Sequence, residues 1–163
     1  SNLTEPLAQT FYVGTTNKAS FRYQIAYQIG SIGLKNIVEA NAAYTEKSSA
    51  TYGFLILQDV IYQLPRIDMT FCLRYEFFDA PNYDNRFYVY ERDVPYTFSS
   101  SALYGKGSRY YIVYKYTIIN GLTLYLRLAG TVYADGRKTV GSGLETIQGN
   151  TKTDFRIHLQ YQF

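Results

Sequence analysis

The last ten residues, Asp154-Phe155-Arg156-Ile157-His158-Leu159-Gln160-Tyr161-Gln162-Phe163, alternate polar and apolar side chains without a break. A period of two marks a β-strand with two chemically different faces, because successive side chains point to opposite sides of the backbone. The same period recurs upstream. Phe21, Tyr23, Ile25, Tyr27 and Ile29 alternate with Ser20, Arg22, Gln24, Ala26 and Gln28. Ile67, Met69, Phe71, Leu73, Tyr75 and Phe77 alternate with Arg66, Asp68, Thr70, Cys72, Arg74 and Glu76. Tyr110, Ile112, Tyr114, Tyr116 and Ile118 are interleaved with Arg109, Tyr111, Val113, Lys115 and Thr117, and Leu122, Leu124, Leu126 and Leu128 with Thr123, Tyr125, Arg127 and Ala129. Two weaker segments keep one apolar face, Leu34 to Tyr44 with a break at Asn36 and Tyr52 to Tyr62 with a break at Gln58. A short run from Leu7 to Gly14 makes an eighth candidate. No stretch carries a convincing 3.6-residue period, so the chain reads as all-β.

Strand length and connection length refine that class. The alternating runs are about 12 residues long, against five or six in ordinary soluble sheets, and a tilted membrane strand needs about 9–11. Gly30-Ser31, Gln63-Leu64-Pro65 and Asn120-Gly121 are tight turns, whereas 79–107 and 134–151 are long loops. Counting back from Phe163, the tight turns fall at one end of the strands and the long connections at the other. Outer-membrane barrels show this asymmetry, with short periplasmic turns and long extracellular loops. The expectation is one domain over residues 1–163: a transmembrane antiparallel up-and-down β-barrel with about eight strands in this chain, either a whole small barrel or the C-terminal part of a larger one. Its solvent is then the lipid bilayer of a Gram-negative outer membrane, with both termini on the periplasmic side. The 19 Tyr and 10 Phe suit aromatic girdles at the two interfaces. The competing reading is a soluble lipocalin-like barrel, in which the apolar face of each strand points inward; periodicity is blind to which face is out.

Composition removes other classes. The longest uninterrupted apolar runs are four or five residues, such as Phe54-Leu55-Ile56-Leu57, far short of the roughly 20 needed by a transmembrane helix. The net charge is only +3, and the 16 basic residues are scattered singly, unlike the clustered footprint of a nucleic-acid binder. A single Cys and a single His leave no intrachain disulfide and no His/Cys zinc set. No cofactor, metal or catalytic residue is therefore expected. His158 is the only candidate base, and no Ser is expected at the same height on a neighbouring inward position. Cys72, between Thr70 and Arg74, reads as an interior filler.

Two sets of polar residues remain. Arg22, Asp68, Arg74, Glu76, Arg109, Lys115, Arg127, Arg156 and His158 share the polar face of their strands, with Lys35, Glu39 and Asp154, and are expected inside the barrel. An eight-stranded barrel is just wide enough to be filled by its own side chains, which would leave no pore. The second set lies in the 79–107 loop: Asp84, Arg86, Tyr88, Tyr90, Glu91, Arg92 and Asp93. Its balanced charges suit an internal network, and its Tyr and Arg equally suit contact with an extracellular partner. Because that loop is long yet rich in aromatic residues, an ordered hairpin around Phe87–Tyr90 is expected, held over the barrel mouth by Arg86, Arg92, Glu91 and Asp93. The function expected from all this is non-enzymatic: a structural or interaction subunit of an outer-membrane assembly, with possible protein partners and no nucleic acid. The alternative is a passive or substrate-binding channel formed by a larger barrel.

The ending Arg156-Ile-His-Leu-Gln-Tyr-Gln-Phe163 resembles the C-terminal assembly signal of outer-membrane barrels, with Tyr161 and Phe163 as its aromatic positions. Four stretches resemble a group of Bacteroidota outer-membrane proteins labelled by an N-terminal helix-hairpin-helix module. They are Tyr83-Asp-Asn-Arg-Phe-Tyr-Val-Tyr-Glu-Arg-Asp93, Tyr104-Gly-Lys-Gly-Ser-Arg-Tyr-Tyr111, Leu122-Thr-Leu-Tyr-Leu-Arg127 and Gly141-Ser-Gly-Leu-Glu-Thr-Ile-Gln-Gly-Asn150. The resemblance covers the barrel part only, since no helix-hairpin-helix signature is present, and it implies location and fold rather than an activity.

Overall fold

The computed structural model describes residues 16–45, 48–141 and 143–163. The Leu7 to Gly14 segment lies outside them. The described chain is all-β and antiparallel, with eleven strands: β1 (Thr16–Ile29), β2 (Ile32–Thr45), β3 (Ser48–Gln63), β4 (Met69–Ala80), β5 (Phe87–Glu91), β6 (Ser99–Leu103), β7 (Gly105–Ile119), β8 (Leu122–Tyr133), β9 (Thr139–Val140), β10 (Ile147–Gln148) and β11 (Thr151–Tyr161). Seven form one sheet in the order β1-β2-β3-β4-β7-β8-β11, and every neighbouring pair is antiparallel. These strands run from 11 to 16 residues, longer than the usual soluble strand. Each of the seven periodic segments from Ser20 onward becomes one of them. The two long loops add two small hairpins, β5–β6 and β9–β10.

The connections alternate in length as the sequence suggests. At one end, Gly30 (φ 56°) and Gly121 (φ 85°) turn the chain in the left-handed region, where a residue with a Cβ is strained. The opposite end carries both hairpin insertions. The sheet is not closed: β1 and β11 are its edges, and they do not pair with each other.

Register decides what faces what. Directly paired residues share a face, so Arg22 with Glu39, Asp59 with Arg74, Glu76 with Arg109, and Arg127 with Arg156 all lie on one side. That is the covered side, where Asp59, Arg74, Glu76, Arg109 and Arg127 are buried beside Ile37, Leu55, Leu57, Tyr111 and Ala129. The other side is apolar and open. Ile56, Leu73, Tyr75, Ile112, Phe155, Ile157 and Leu159 are between 41% and 62% exposed. Tyr110 lies over its paired residue Gly130 on this side, an aromatic ring covering a bare glycine backbone. The ordinary arrangement of a soluble protein is thus inverted, with ions inside and large apolar side chains outside.

The hairpin β5–β6 forms a second layer on the covered side. Phe87, Val89 and Leu103 pack with Ile37, Leu55, Leu57, Phe78 and Ala80 from three wall strands. The segment from Arg86 to Asp93 also reaches β1 through Lys18, β7 through Arg109, β8 through Arg127 and β11 through Arg156. Seven flat strands would span about 29 Å at roughly 4.8 Å per strand. One narrow hairpin touches one face of all seven only because the sheet curls around it.

Candidate functional site

Between the hairpin and the sheet, five carboxyl groups and four guanidiniums form one connected series. Arg74 grips Asp59 with both arms, Nε to Oδ1 at 2.5 Å and Nη2 to Oδ2 at 2.7 Å. Its third nitrogen, Nη1, donates to the Tyr90 carbonyl of the hairpin at 2.7 Å. Arg109 grips Glu91 in the same bidentate fashion, at 2.6 and 2.8 Å, and donates to Thr131 Oγ1 at 2.6 Å. Arg127 donates at 2.5 Å to Glu91 Oε2, which Arg109 Nη2 also contacts, and reaches Asp154 at 2.5 Å. Arg156 closes the series on Asp93, which also accepts a bond from the Ser99 hydroxyl. Glu76 lies in the middle, with Arg109 at 3.8 Å and Arg74 at 4.0 Å, and no hydrogen bond to either carboxyl oxygen among the described residues. The Tyr111 ring is stacked between Arg74 and Arg127, whose guanidinium carbons are 5.1 and 5.6 Å from its centroid.

Planar guanidinium forks match carboxylates in two contacts at once, which fixes orientation as well as distance. Two of the acids, Glu91 and Asp93, belong to the hairpin; the four arginines belong to the wall. The network is therefore a lock between two layers. Burial works against the charged form of Glu91, yet the hydrogen bonds and charge of Arg109, a bond from Ser101 and the charge of Arg127 outweigh it and hold its carboxyl below the usual carboxylate range.

A second anchor needs no charge. Asn85 is fully buried in a short 3-10 turn just before β5. Its amide nitrogen donates to Asn41 Oδ1 (2.8 Å) and the Thr51 carbonyl (3.0 Å), and its Oδ1 accepts from Thr51 Oγ1 (2.7 Å). Asn41 returns a bond to the Asn85 carbonyl at 2.8 Å. Gly53 faces this turn: a Cβ there would sit 3.0 Å from Asn41 Oδ1 and 3.2 Å from the Asn85 Cβ. The missing side chain makes room for the turn to approach.

The loop residues expected to act together separate. Glu91 and Asp93 turn inward, but Arg86 and Arg92 do not hold them. Phe87, Val89 and Glu91 occupy one face of β5, which places Arg92 outside the network; its backbone N–H meets the Tyr111 hydroxyl at 3.3 Å. Arg86 stays at the long-loop end, stacked 4.2 Å from the Tyr83 ring and donating to the Tyr88 hydroxyl at 2.8 Å. The hairpin folds into the curled sheet rather than across its mouth, because its anchoring cations come from the middle of β4, β7 and β8. Asp84, Tyr88 and Tyr90 are exposed. Arg137 continues the aromatic rim, 3.6 Å from the Tyr133 ring and paired with Asp135.

The interior candidates share the covered face. Arg22 pairs with Glu39 at 3.4 Å near the β1 edge. Asp68 accepts from Thr117 near the short-turn end, and Lys115, opposite Thr70, lines a cavity there with Asp68. His158 lies between the rings of Tyr96 and Tyr125, each 5.9 Å away. Cys72 packs with Tyr111, Val113 and Ala129. Tyr161 and Phe163 are exposed, their rings 6.3 Å apart. Asp59, Asn41, Asn85 and Thr131 are the participants that inspection of the sequence misses. Asp59 was discoverable, since the alternation around Tyr52–Tyr62 puts it on the polar face. Asn85 carries no such signal, because its partners are 34 and 44 residues away.

No protein-family model, curated protein or solved structure matches this chain.

Proposed function

We propose that this chain is a wall segment of an outer-membrane β-barrel, non-enzymatic, with a folded-in hairpin and a contact rim for protein partners. The observation that carries the reading is the inversion of the two faces: an ionic series is buried inside the curl, and a continuous band of Ile, Leu, Tyr and Phe faces out on seven long strands. Large exposed apolar surfaces mark contact with lipid or with another protein. A band on every strand, alternating with an ionic interior, is the pattern of strands in a bilayer. The Arg/Tyr rim of Tyr83, Arg86, Tyr88, Tyr104 and Arg137 sits at the long-loop end, where partner contact favours those residue types. Among the described residues the hydroxyl bonded to an acid of this network, Ser99 on Asp93, shares that carboxylate with Arg156, and the arginines are committed to acids and hairpin carbonyls. That favours holding over chemistry.

The test is membrane photolabelling of cells that make the protein. A lipid-dissolved carbene reagent should modify peptides at Leu73, Leu126 and Ile157, and spare Thr70, Arg127 and Arg156. Recovery of the chain as a water-soluble, unlabelled species without detergent would replace this reading with the soluble barrel.

A further inference from the structure

We infer that the seven-stranded sheet is one arc of a closed antiparallel barrel of about ten strands or more. An odd number of further transmembrane strands, bearing acids on their inner face and not drawn from a second copy of this chain, pairs with β1 and β11. The inference rests on the outer-membrane reading for its solvent, but its geometry is independent of that reading.

The first argument is direction. Six successive antiparallel steps separate β1 from β11, so the two edges run the same way. Joined directly, they would make a lone parallel seam. An odd number of added strands keeps every pairing antiparallel and makes the total even. Among the described residues both edges lack a neighbouring strand, and a row of unpaired backbone groups cannot be left unsatisfied in lipid.

The second argument is width. Eight strands enclose only enough room for their own side chains. Here the interior holds a whole two-stranded hairpin in addition, packed through Phe87, Val89 and Leu103. The hairpin's other face is still uncovered: Tyr88, Tyr90 and Phe98 are 54%, 61% and 78% exposed on the inner side. Lumen continues beyond it, so one added strand is too few and three are the least that fit.

The third argument identifies what pairs with the edges. Along β1 the inner face carries Lys18 and Arg22, and the strand contains no acid. The Arg22 side chain remains 43% exposed despite Glu39. On β11, Lys152, Arg156 and His158 face inward against Asp154 alone, and Asp154 is already engaged by Arg127. A second copy inserted in the same sense has both edges running that same way, so a ring of two identical chains would carry two parallel β1–β11 seams. Strands with Asp or Glu opposite Lys18, Arg22 and Lys152 complement both edges.

Cryo-electron microscopy of the particle extracted in detergent from the outer membrane of its own cells tests this by counting strands. The expected result is a closed, all-antiparallel ring, even in number and of at least ten strands, with β5–β6 inside and acids beside Lys18, Arg22 and Lys152. An eight-stranded ring, a parallel β1–β11 seam or a ring of two identical chains would each overturn it. A lipid-embedded eight-stranded ring sinks this inference and leaves the membrane reading standing. A wide ring recovered without detergent does the reverse.

Discussion

Glu91 and Arg109 meet face to face across the two layers, Nε 2.6 Å from one carboxyl oxygen and Nη2 2.8 Å from the other, both side chains buried. This pair sets where β5 rests against β7. Taking both ions out of water is costly, and only the fork geometry with Arg127 on the remaining lone pair compensates it. Replacing Glu91 with Gln keeps the shape and deletes the charge, leaving two buried guanidiniums underpaired at a cost of about 3–5 kcal/mol. The expected outcome is selective: β5–β6 undocks while the wall persists. Limited proteolysis in detergent should then cut faster within 92–98 than it does in the unmutated protein. Unchanged protection would show that apolar packing of Phe87 and Leu103 alone holds the hairpin.

Acid should act on the same pair. The folded Glu91 carboxyl titrates below its ordinary value of 4.5, so its contribution to docking is complete above that pH and is lost as pH falls through the lower, folded value. Hairpin protection should therefore not fall between neutral pH and about 5, and should decline below 4.5. In the Glu91→Gln protein that acid-dependent step should vanish. A loss of protection between pH 8 and 6 would assign the docking to a different group.

The seven long strands were readable because one physical requirement, opposite chemistry on opposite faces, is written into alternate residues of each segment, broken only at Asn36 and Gln58. Which face is out was not readable. Phe155-Arg156-Ile157 alternates identically whichever face is covered, and only the packing of β5–β6 against Arg109 and Arg127 shows that the ionic face is the covered one. The site was half legible. Glu91 and Asp93 stood out as charges among aromatic residues, but their partners lie 18 to 63 residues away on other strands. Nearness in sequence suggested Arg86 and Arg92 instead, and strand alternation turns Arg92 away from Glu91. Asp59 was legible from the alternation of Tyr52–Tyr62 once the polar break at Gln58, which pairs with Asn36 on the outer face, is allowed for.

Asn85 offers a test of the uncharged anchor. Asn85→Leu keeps the approximate volume, but it strips partners from Asn41 Oδ1, the Thr51 hydroxyl and the Thr51 carbonyl. An unsatisfied buried polar group costs about 1–3 kcal/mol. Thermal unfolding in detergent should shift down, and cleavage should appear at the 83–86 turn before it appears at 92–98. Gly53→Ala should act in the same direction, since its new Cβ crowds Asn41 and Asn85. Cleavage at 92–98 first would mean that the ionic lock, not the turn, opens before the rest.

The apolar band gives the most discriminating substitution. Leu73 lies midway along β4, 42% exposed, between Val60 and Ile112 on the flanking strands. Arg74, one residue on, points the other way into the ionic series. A cation on the lipid face near the bilayer midplane costs about 2–4 kcal/mol, whereas the same residue facing water costs almost nothing. Leu73→Arg should therefore lower the yield of folded protein in the membrane fraction and its unfolding midpoint in lipid vesicles. Arg127→Leu should behave differently. It leaves the outer apolar face intact, so on the proposed membrane reading insertion proceeds, but Glu91 and Asp154 lose their shared cation and the hairpin becomes cleavable. Comparing the two by carbonate extraction and by proteolysis separates wall from plug. If Leu73→Arg inserts and unfolds like the unmutated chain, that face does not meet lipid, and the exposed leucines belong to a protein interface instead.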